Sequence, residues 1–534
     1  MTRSGSPLTL LSATSVLSMS LVGCGAEFAA SGDPAASSDA SSTNGSGGFA
    51  GDDDDGGSST SAPPEQEDDL LLLPPAQTDT FVFVANPDRD TVTRVNVRTL
   101  DVDTTAVGTD PEIVLTTDDF RQAVVFNRGD ESVTVIDAQT LAKETVDVRQ
   151  NLNDMVLSPN GDWAVLWHDA ARERPDDPVP DGLQSFNEVS FIAVDGAVHY
   201  PMAVGFNPKM VRFTPDSALA VVVSDAYVAK IDLTVTPLLP ELIELAPGVL
   251  DPPAAEEVIV AADGSFAWVR QFGATELLVV DLGSGAVDAV PAGLNPTDLD
   301  LTPDGREAVA VARGSGELWV YDANRPFAVP SIVPLPLASQ YGSLLFDPTG
   351  DQAVVYTTST PVERFGVWDV STGVVTERAL VKPVASMAIT PTGGSLMVFH
   401  TLQDGFDTEP LFAGKNALTL IDLSDFRSNP LLLPAEPIGY ANSTTGTLGY
   451  FVMDGEPYLE VLDYVTLLHQ QYGLSSIPSY LGVLPDLAPD DGDEPPAWVS
   501  QEHPLGRISF FDPDDASLET LTGFELNSGI EEGR

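Results

Sequence analysis

A turn motif that returns about every 40 to 56 residues constrains this chain more than any other feature, because a recurring period means one structural unit built many times. The clearest copy is 294–323, LNPTDLDLTPDGREAVAVARGSGELWVYDA: a strand, a Pro-Asp-Gly turn, a second strand, a Gly/Ser turn, and a third strand closed by aspartate. In Thr302-Pro303-Asp304-Gly305 proline presets φ at the second turn position, glycine takes a left-handed φ and aspartate bonds its own backbone, so the chain reverses tightly. The same turn position recurs at Asp118-Asp119, Pro159-Asn160-Gly161, Pro215-Asp216-Ser217, Asp263-Gly264, Pro348-Thr349-Gly350 and Pro391-Thr392-Gly393. A second marker, an apolar pair closed by aspartate, recurs at Asp137, Asp232, Asp281, Asp322, Asp369, Asp422, Asp463 and Asp512. One such aspartate per repeat is explained by an Asx turn ending a strand rather than by catalysis.

About four short strands in each period is the pattern of an all-β fold, the β-propeller, in which each four-stranded blade buries its faces only against its neighbours. Pairs of second and third strands start near Phe81, Gln122, Trp163, Ala218, Phe266, Glu307, Gln352, Ser395, Leu448 and Ala497, about ten units, more than the usual four to eight. One enlarged ring, two smaller rings, or seven or eight blades with accessory hairpins each fit this count. No linker divides the array, which favours a single ring. The first unit's innermost strand has two candidate sources, Leu70-Leu71-Leu72-Leu73 or the C-terminal segment 528–534.

Within the first unit, Phe81-Val82-Phe83-Val84-Ala85-Asn86, Thr91-Val92-Thr93-Arg94-Val95-Asn96-Val97, Val107-Gly108-Thr109-Asp110-Pro111 and Ser132-Val133-Thr134-Val135-Ile136-Asp137 together resemble the YVTN-type propeller repeat. The resemblance extends over nearly the whole repetitive region. It implies the fold, but that family spans surface-layer proteins, lactonase-like enzymes and dehydrogenase subunits, so it implies no single function.

The N-terminus carries a second signature. A short apolar stretch, Ser/Thr-dotted and too short to span a bilayer well, ends at Leu21-Val22-Gly23-Cys24, which holds the only cysteine. It resembles a bacterial lipoprotein signal, with Leu21, Val22 and Gly23 as the lipobox and Cys24 as the acylated residue. The resemblance implies cleavage after residue 23, diacylglycerol on the Cys24 thiol, and two or three acyl chains that make attachment stable where one would hold only marginally. Gly25, not Asp, follows the cysteine, which leans towards the outer membrane of a Gram-negative envelope; the periplasmic or surface side is left open. Residues 24–69 are rich in Ala, Ser, Gly and acid, including Asp52-Asp53-Asp54-Asp55, and have no Lys or Arg. Such a segment lacks the apolar groups to offset ordering entropy, so it reads as a disordered acidic tether reaching on the order of 35–40 Å. The expected organisation is thus signal peptide 1–23, lipidated tether 24–69 and propeller 70–534.

The sequence has 80 Asp plus Glu against 24 Lys plus Arg, a formal net charge of −56. Nucleic acid is excluded as a natural partner by that balance, whereas basic protein patches or divalent ions are attracted by it. The repeat region contains no Gly-x-Ser-x-Gly elbow, His-Glu-x-x-His, phosphate loop or Cys-x-x-Cys, so no catalytic or cofactor-binding residue is assigned. The histidines His168, His199, His400, His469 and His503 are scattered, and His168 and His400 fall at strand ends, where a structural role is expected. Trp163, Trp167, Trp268, Trp319, Trp368 and Trp498 lie mostly in strand patterns, as core packing requires. Three irregular insertions, 171–187, 402–416 and 469–496, are where binding would sit on a rigid scaffold. The last holds Asp486, Asp490, Asp491, Asp493 and Glu494, oxygen ligands suited to calcium but without EF-hand spacing, so no metal site is assigned.

These readings lead to an envelope lipoprotein whose propeller is a non-enzymatic scaffold for an envelope protein, a glycan or a small ligand. Two alternatives remain: a lactonase-like or dehydrogenase-like propeller enzyme with groups converging on the channel, or a structural adhesion module.

Overall fold

A computed structural model describes residues 75–172, 186–246, 255–271, 273–485, 494–527 and 529–532. The lipobox, Cys24, the tether, Leu70 to Leu73, and Asp486, Asp490, Asp491 and Asp493 lie outside the described residues. Ten antiparallel sheets follow one another along the chain, over 76–106, 111–147, 154–203, 208–244, 255–291, 296–334, 343–379, 384–432, 437–473 and 478–532. They are the blades of a single ten-bladed propeller, numbered 1 to 10 below. Each of blades 1 to 9 has four strands in simple up-and-down order, and blade 10 has five. The first strand of each blade lies innermost, and the first strands of blades 1 to 3, 4 to 8, and 9 and 10 meet those of their neighbours within these runs.

The turn chemistry read from the sequence is what holds each blade's reversals. Between the first and second strands, the Oγ of Thr117, Ser158, Thr214, Thr302, Thr390 and Ser443 accepts a hydrogen bond from the backbone N–H five residues on, at 3.0–3.2 Å. Between the third and outermost strands, Asp137, Asp232, Asp281, Asp322, Asp369, Asp422, Asp463 and Asp512 each accept backbone N–H bonds from residues two or three ahead. Side-chain hydrogen bonds from Thr140, Thr234, Arg325, Ser371 and Ser424, together with those N–H bonds, favour the charged carboxylate and hold Asp137, Asp232, Asp281, Asp322, Asp369, Asp422 and Asp463 below the usual carboxylate range.

The core is a series of apolar layers between blades rather than one centre. Val165, Phe191 and Val189 of blade 3 pack on Val222 and Ile231 of blade 4, for example, and Trp268 of blade 5 packs with Ala308, Ala310 and Tyr321 of blade 6. Five of the six tryptophans are buried in these layers and Trp319 is half-buried.

Ring closure corrects both sources expected for the first innermost strand. That strand is Ala76–Gln77, and Ile530–Glu532 instead adds a fifth strand to the outer edge of blade 10. The reason lies in the turn Phe524–Leu526: Phe524 is buried in the joint between blades 10 and 1, so the chain doubles back onto Thr520, Leu521 and Thr522 rather than running to the centre. Blades 10 and 1 therefore share no sheet. Val82, Val95, Val97 and Leu100 meet Leu484, Trp498, Ile508, Phe510, Leu521 and Phe524 across the joint. Trp498 Nε1 donates to Gln77 Oε1 and Gln77 Nε2 to the Val483 carbonyl, while the Thr104 N–H donates to Asn527 Oδ1 at 2.8 Å.

Candidate binding face

Because the strands alternate in direction, one face of the ring carries the connections between blades and the loops between second and third strands; the opposite face carries the Thr/Ser and Asp turns. The chain enters from the first of these, at Pro75, and we call it the entry face. The insertion 402–416 belongs to it, as do the described ends of the insertion 171–187, whose residues 173–185 lie outside the described residues. The third is partly regular: His469–Gly473 is the outermost strand of blade 9 and Pro478–Val483 the innermost of blade 10, joined by 474–477 on the entry face, and 486–493 lie outside the described residues.

At the entry end, seven innermost strands begin with a β-bulge, between Pro111 and Ile113, Pro208 and Met210, Ala255 and Glu257, Pro296 and Asp298, Val384 and Ser386, Pro437 and Gly439, and Pro478 and Tyr480. Five of these start with proline, which has no N–H to give a ladder, so pairing breaks at that point. The residues skipped by the register at these bulges are Glu112, Lys209, Glu256, Thr297, Ala385, Ile438 and Ser479, and none is fully buried. They form a partial ring around the channel mouth. Its charge is lopsided: blades 2, 4 and 5 contribute Glu112, Lys209 and Glu256, whereas blades 6, 8, 9 and 10 contribute neutral groups.

Blades 2 to 5 also carry four ion pairs near this rim: Glu112 with Arg128 at 3.1 Å, Asp154 with Arg172 at 2.8 Å, Lys209 with Asp225 at 3.2 Å and Glu257 with Arg270 at 2.9 Å. Asp154 is the most perturbed of these acids. Burial pushes its carboxyl up to about 6, although Arg172 and the Met155 N–H both favour the charge. His168, beside it in the loop, is buried with Nδ1 2.8 Å from the Asn151 carbonyl. His400 is likewise structural: Nδ1 donates to the Pro383 carbonyl at 3.2 Å, Nε2 accepts from Thr419 Oγ1 at 2.7 Å, and burial pulls the imidazole down to about 4. His199 contacts Ser190 and His469 contacts Glu460, each within one blade. Among the described residues, no three His, Cys, Asp or Glu side chains converge as metal ligands.

A cavity of about 340 Å³ opens where blades 10, 1 and 2 meet, next to Pro75. Val84, Val114, Tyr480 and Phe524 supply its apolar wall, and Glu502, His503 and Arg507 its polar one. Two of its carboxylates are already engaged, Glu112 with Arg128 and Glu525 with Arg89 at 3.1 Å. Nothing in the repeat period marks this cavity, because it is formed by the two ends of the array.

The loop 401–416 of blade 8 is the most elaborate feature of the face. Lys382, wholly buried, donates from Nζ to the carbonyls of Leu402 and Lys415 at 3.1 and 2.9 Å and pairs with Asp404 Oδ1 at 3.1 Å. Buried Glu363, from the neighbouring loop of blade 7, accepts from the Asp407 N–H at 2.9 Å and Thr408 Oγ1 at 3.0 Å. Gly405 sits where a Cβ would overlap the Glu363 carboxylate and the Pro361 carbonyl. Phe412 is buried beneath the loop, while Phe406, Leu411 and Leu402 stand 86, 60 and 55 % exposed.

No family model and no curated protein matches the chain. Among solved structures it is similar to the dihydro-haem d1 dehydrogenase NirN in complex with DHE, at 13 % identity over 78 % of this chain and 75 % of that one, with a TM-score of 0.42. It is also similar to Kuenenia stuttgartiensis hydrazine synthase, at 18 % identity over 58 % of this chain and 96 % of that one, TM-score 0.30. A third is the β-propeller domain of Myceliophteria thermophila Cps50 (Swd1), at 13 % identity over 61 % of this chain and 97 % of that one, TM-score 0.34. These likenesses carry no statement about chemistry.

Proposed function

We propose that this chain is an exported lipoprotein, anchored through Cys24 to the cell envelope, whose ten-bladed ring is a binding scaffold that works through its entry face. The observation that carries the binding reading is the concentration on that one face of a rim of bulge residues, a cavity and a loop held rigid by buried charges. Rigid scaffolds with elaborated loops on one side are built for recognition. The four ion pairs of blades 2 to 5 each lie within one blade, and Arg89 with Glu525 joins blades 1 and 10, an arrangement in which these charges hold the scaffold together. The lipid anchor rests on Leu21 to Cys24, and the acidic segment 24–69 is the tether in this reading. The described chain begins at Pro75 on this same face. The likeness of 81–141 to YVTN-type repeats suits an envelope address.

The reading is tested by expressing the full chain and Cys24→Ala in a Gram-negative host with labelled palmitate. Label and membrane sedimentation in the first, both lost in the second, support the anchor. Unlabelled, soluble protein in both removes it and leaves only the scaffold.

A further inference from the structure

We propose that the loop 401–416 is a preformed anchor that inserts Phe406, flanked by Leu411 and Leu402, into an apolar pocket rimmed by Lys and Arg on a partner protein. This rests on the entry face being the binding surface, but not on the lipid anchor, and it names the partner's chemistry.

An aromatic ring that is 86 % exposed would ordinarily fold down onto its own loop, since burying a Phe side chain is worth roughly 1.5–3 kcal/mol. Here the backbone cannot follow. Lys382 grips both ends of the loop, at Leu402 and Lys415, and holds Asp404, which in turn accepts the Gly414 N–H at 2.9 Å. Glu363 fixes the turn on the other side of Phe406 through Asp407 and Thr408, and Thr408 Oγ1 accepts the Gly405 N–H at 2.8 Å. Phe412 pins the far limb in the interior. A loop fixed in this way loses little further entropy on association, and a rigid exposed aromatic is the usual centre of an interface.

Charge decides what the anchor meets. Within the loop Asp404, Asp407 and Glu409 stand against Lys415; Lys382 is paired with Asp404 at 3.1 Å, and Glu363 beneath adds a further carboxylate, so the loop with its braces is net acidic. With a chain net charge of −56 behind it, a second copy of this chain or an anionic lipid surface is repelled, whereas a basic rim around an apolar pocket is attracted.

The experiment places a photoreactive benzoylphenylalanine at Leu411 of the full-length protein in intact envelopes, with the same probe at exposed Phe327 of the opposite face as control. The protein cross-linked from 411 and not from 327 is identified, purified and titrated against the unmodified chain. The proposal expects Phe406→Ala to weaken that complex at least tenfold, Phe406→Leu to restore part of it, and Gly405→Ala, whose Cβ would collide with the Glu363 carboxylate and shift the turn, to weaken it although the ring of Phe406 is retained. Raising salt from 50 to 500 mM should weaken it a further several-fold. Four results overturn it: equal cross-linking from 411 and 327, a partner whose affinity ignores Phe406→Ala, a homodimer cross-link, or Phe406-dependent binding to phosphatidylethanolamine/phosphatidylglycerol vesicles in place of a protein. Failure of the Cys24 labelling leaves this outcome untouched, because the 411 probe reports on the loop alone.

Discussion

Replacing Trp498 by alanine tests how the ring is closed. Every other neighbouring pair of blades is joined by the chain as well as by packing, but among the described residues blades 10 and 1 are joined by side-chain packing, a few hydrogen bonds and the Arg89–Glu525 ion pair. Trp498 is the largest of those side chains, fully buried, with its indole N–H on Gln77. Truncating a buried Trp costs about 3–5 kcal/mol, through lost transfer energy and the cavity left behind. In a repeat array stability is close to a sum over units and their interfaces, so this loss should fall on the local opening of the two terminal blades. At about 1.4 kcal/mol per power of ten, amides of blades 10 and 1 should exchange roughly 150- to 4,000-fold faster in native-state hydrogen exchange, with blades 4 to 7 unchanged. Trp268→Ala, an equally buried ring between blades 5 and 6, serves as the internal control and should accelerate those two blades instead. The reasoning fails if Trp498→Ala speeds all ten blades alike, which would mean the ring opens only as a whole, or if blade 1 keeps its protection while blade 10 loses it.

Three other outcomes follow from the same structure. Gly482→Ala should weaken the same joint from the blade 10 side, because its Cβ would overlap the Trp498 indole; unchanged exchange of blade 1 would contradict this. Asp154 has its native carboxyl raised to about 6 against an ordinary 3.9, so the native state gains a proton that the unfolded state does not as pH falls through 6. Blade 3 of the wild type should therefore gain on the order of 2–3 kcal/mol relative to Asp154→Asn between pH 7 and 4, and a pH-independent difference would refute it. His400 has the opposite sign: its imidazole is lowered to about 4, the unfolded chain takes the proton first, and stability is lost as pH falls from 6.5 towards 4. His400→Gln should flatten that decline in blade 8, read by the same exchange measurement.

The blades were legible because each reversal uses a local chemistry, Thr or Ser bonding an N–H five residues on and Asp bonding one two or three ahead, that repeats in the letters of the sequence. All ten expected starts match second strands to within a residue, from Phe81–Asn86 to Ala497–Gln501. The Asx role of the eight aspartates and the burial of most tryptophans were legible for the same reason. Closure was not, because which side chains join the two ends depends on contacts more than 400 residues apart, as Gln77 with Trp498 shows. The loop 401–416 announced itself only as a break in the period. Its braces, Lys382 and Glu363, lie 20 or more residues from the groups they hold, and their burial has no local signal. The same holds for the bulge ring: a proline opening an innermost strand was visible, but not that the next residue would be left over at the channel mouth.

The closure without a shared sheet also bears on how such a chain changes over generations. Every blade, including the first and last, comes from one continuous stretch of sequence, since among the described residues no sheet is completed by strands from both ends. A duplication or deletion of one repeat therefore inserts or removes a whole blade and leaves the sealing contacts of blades 1 and 10 intact, with only the curvature of the ring left to adjust. A ring sealed by strand exchange would have to rebuild a composite sheet whenever its ends were redrawn. An unusual number such as ten is then a count that descent can reach in single steps, each intermediate carrying the same two terminal surfaces.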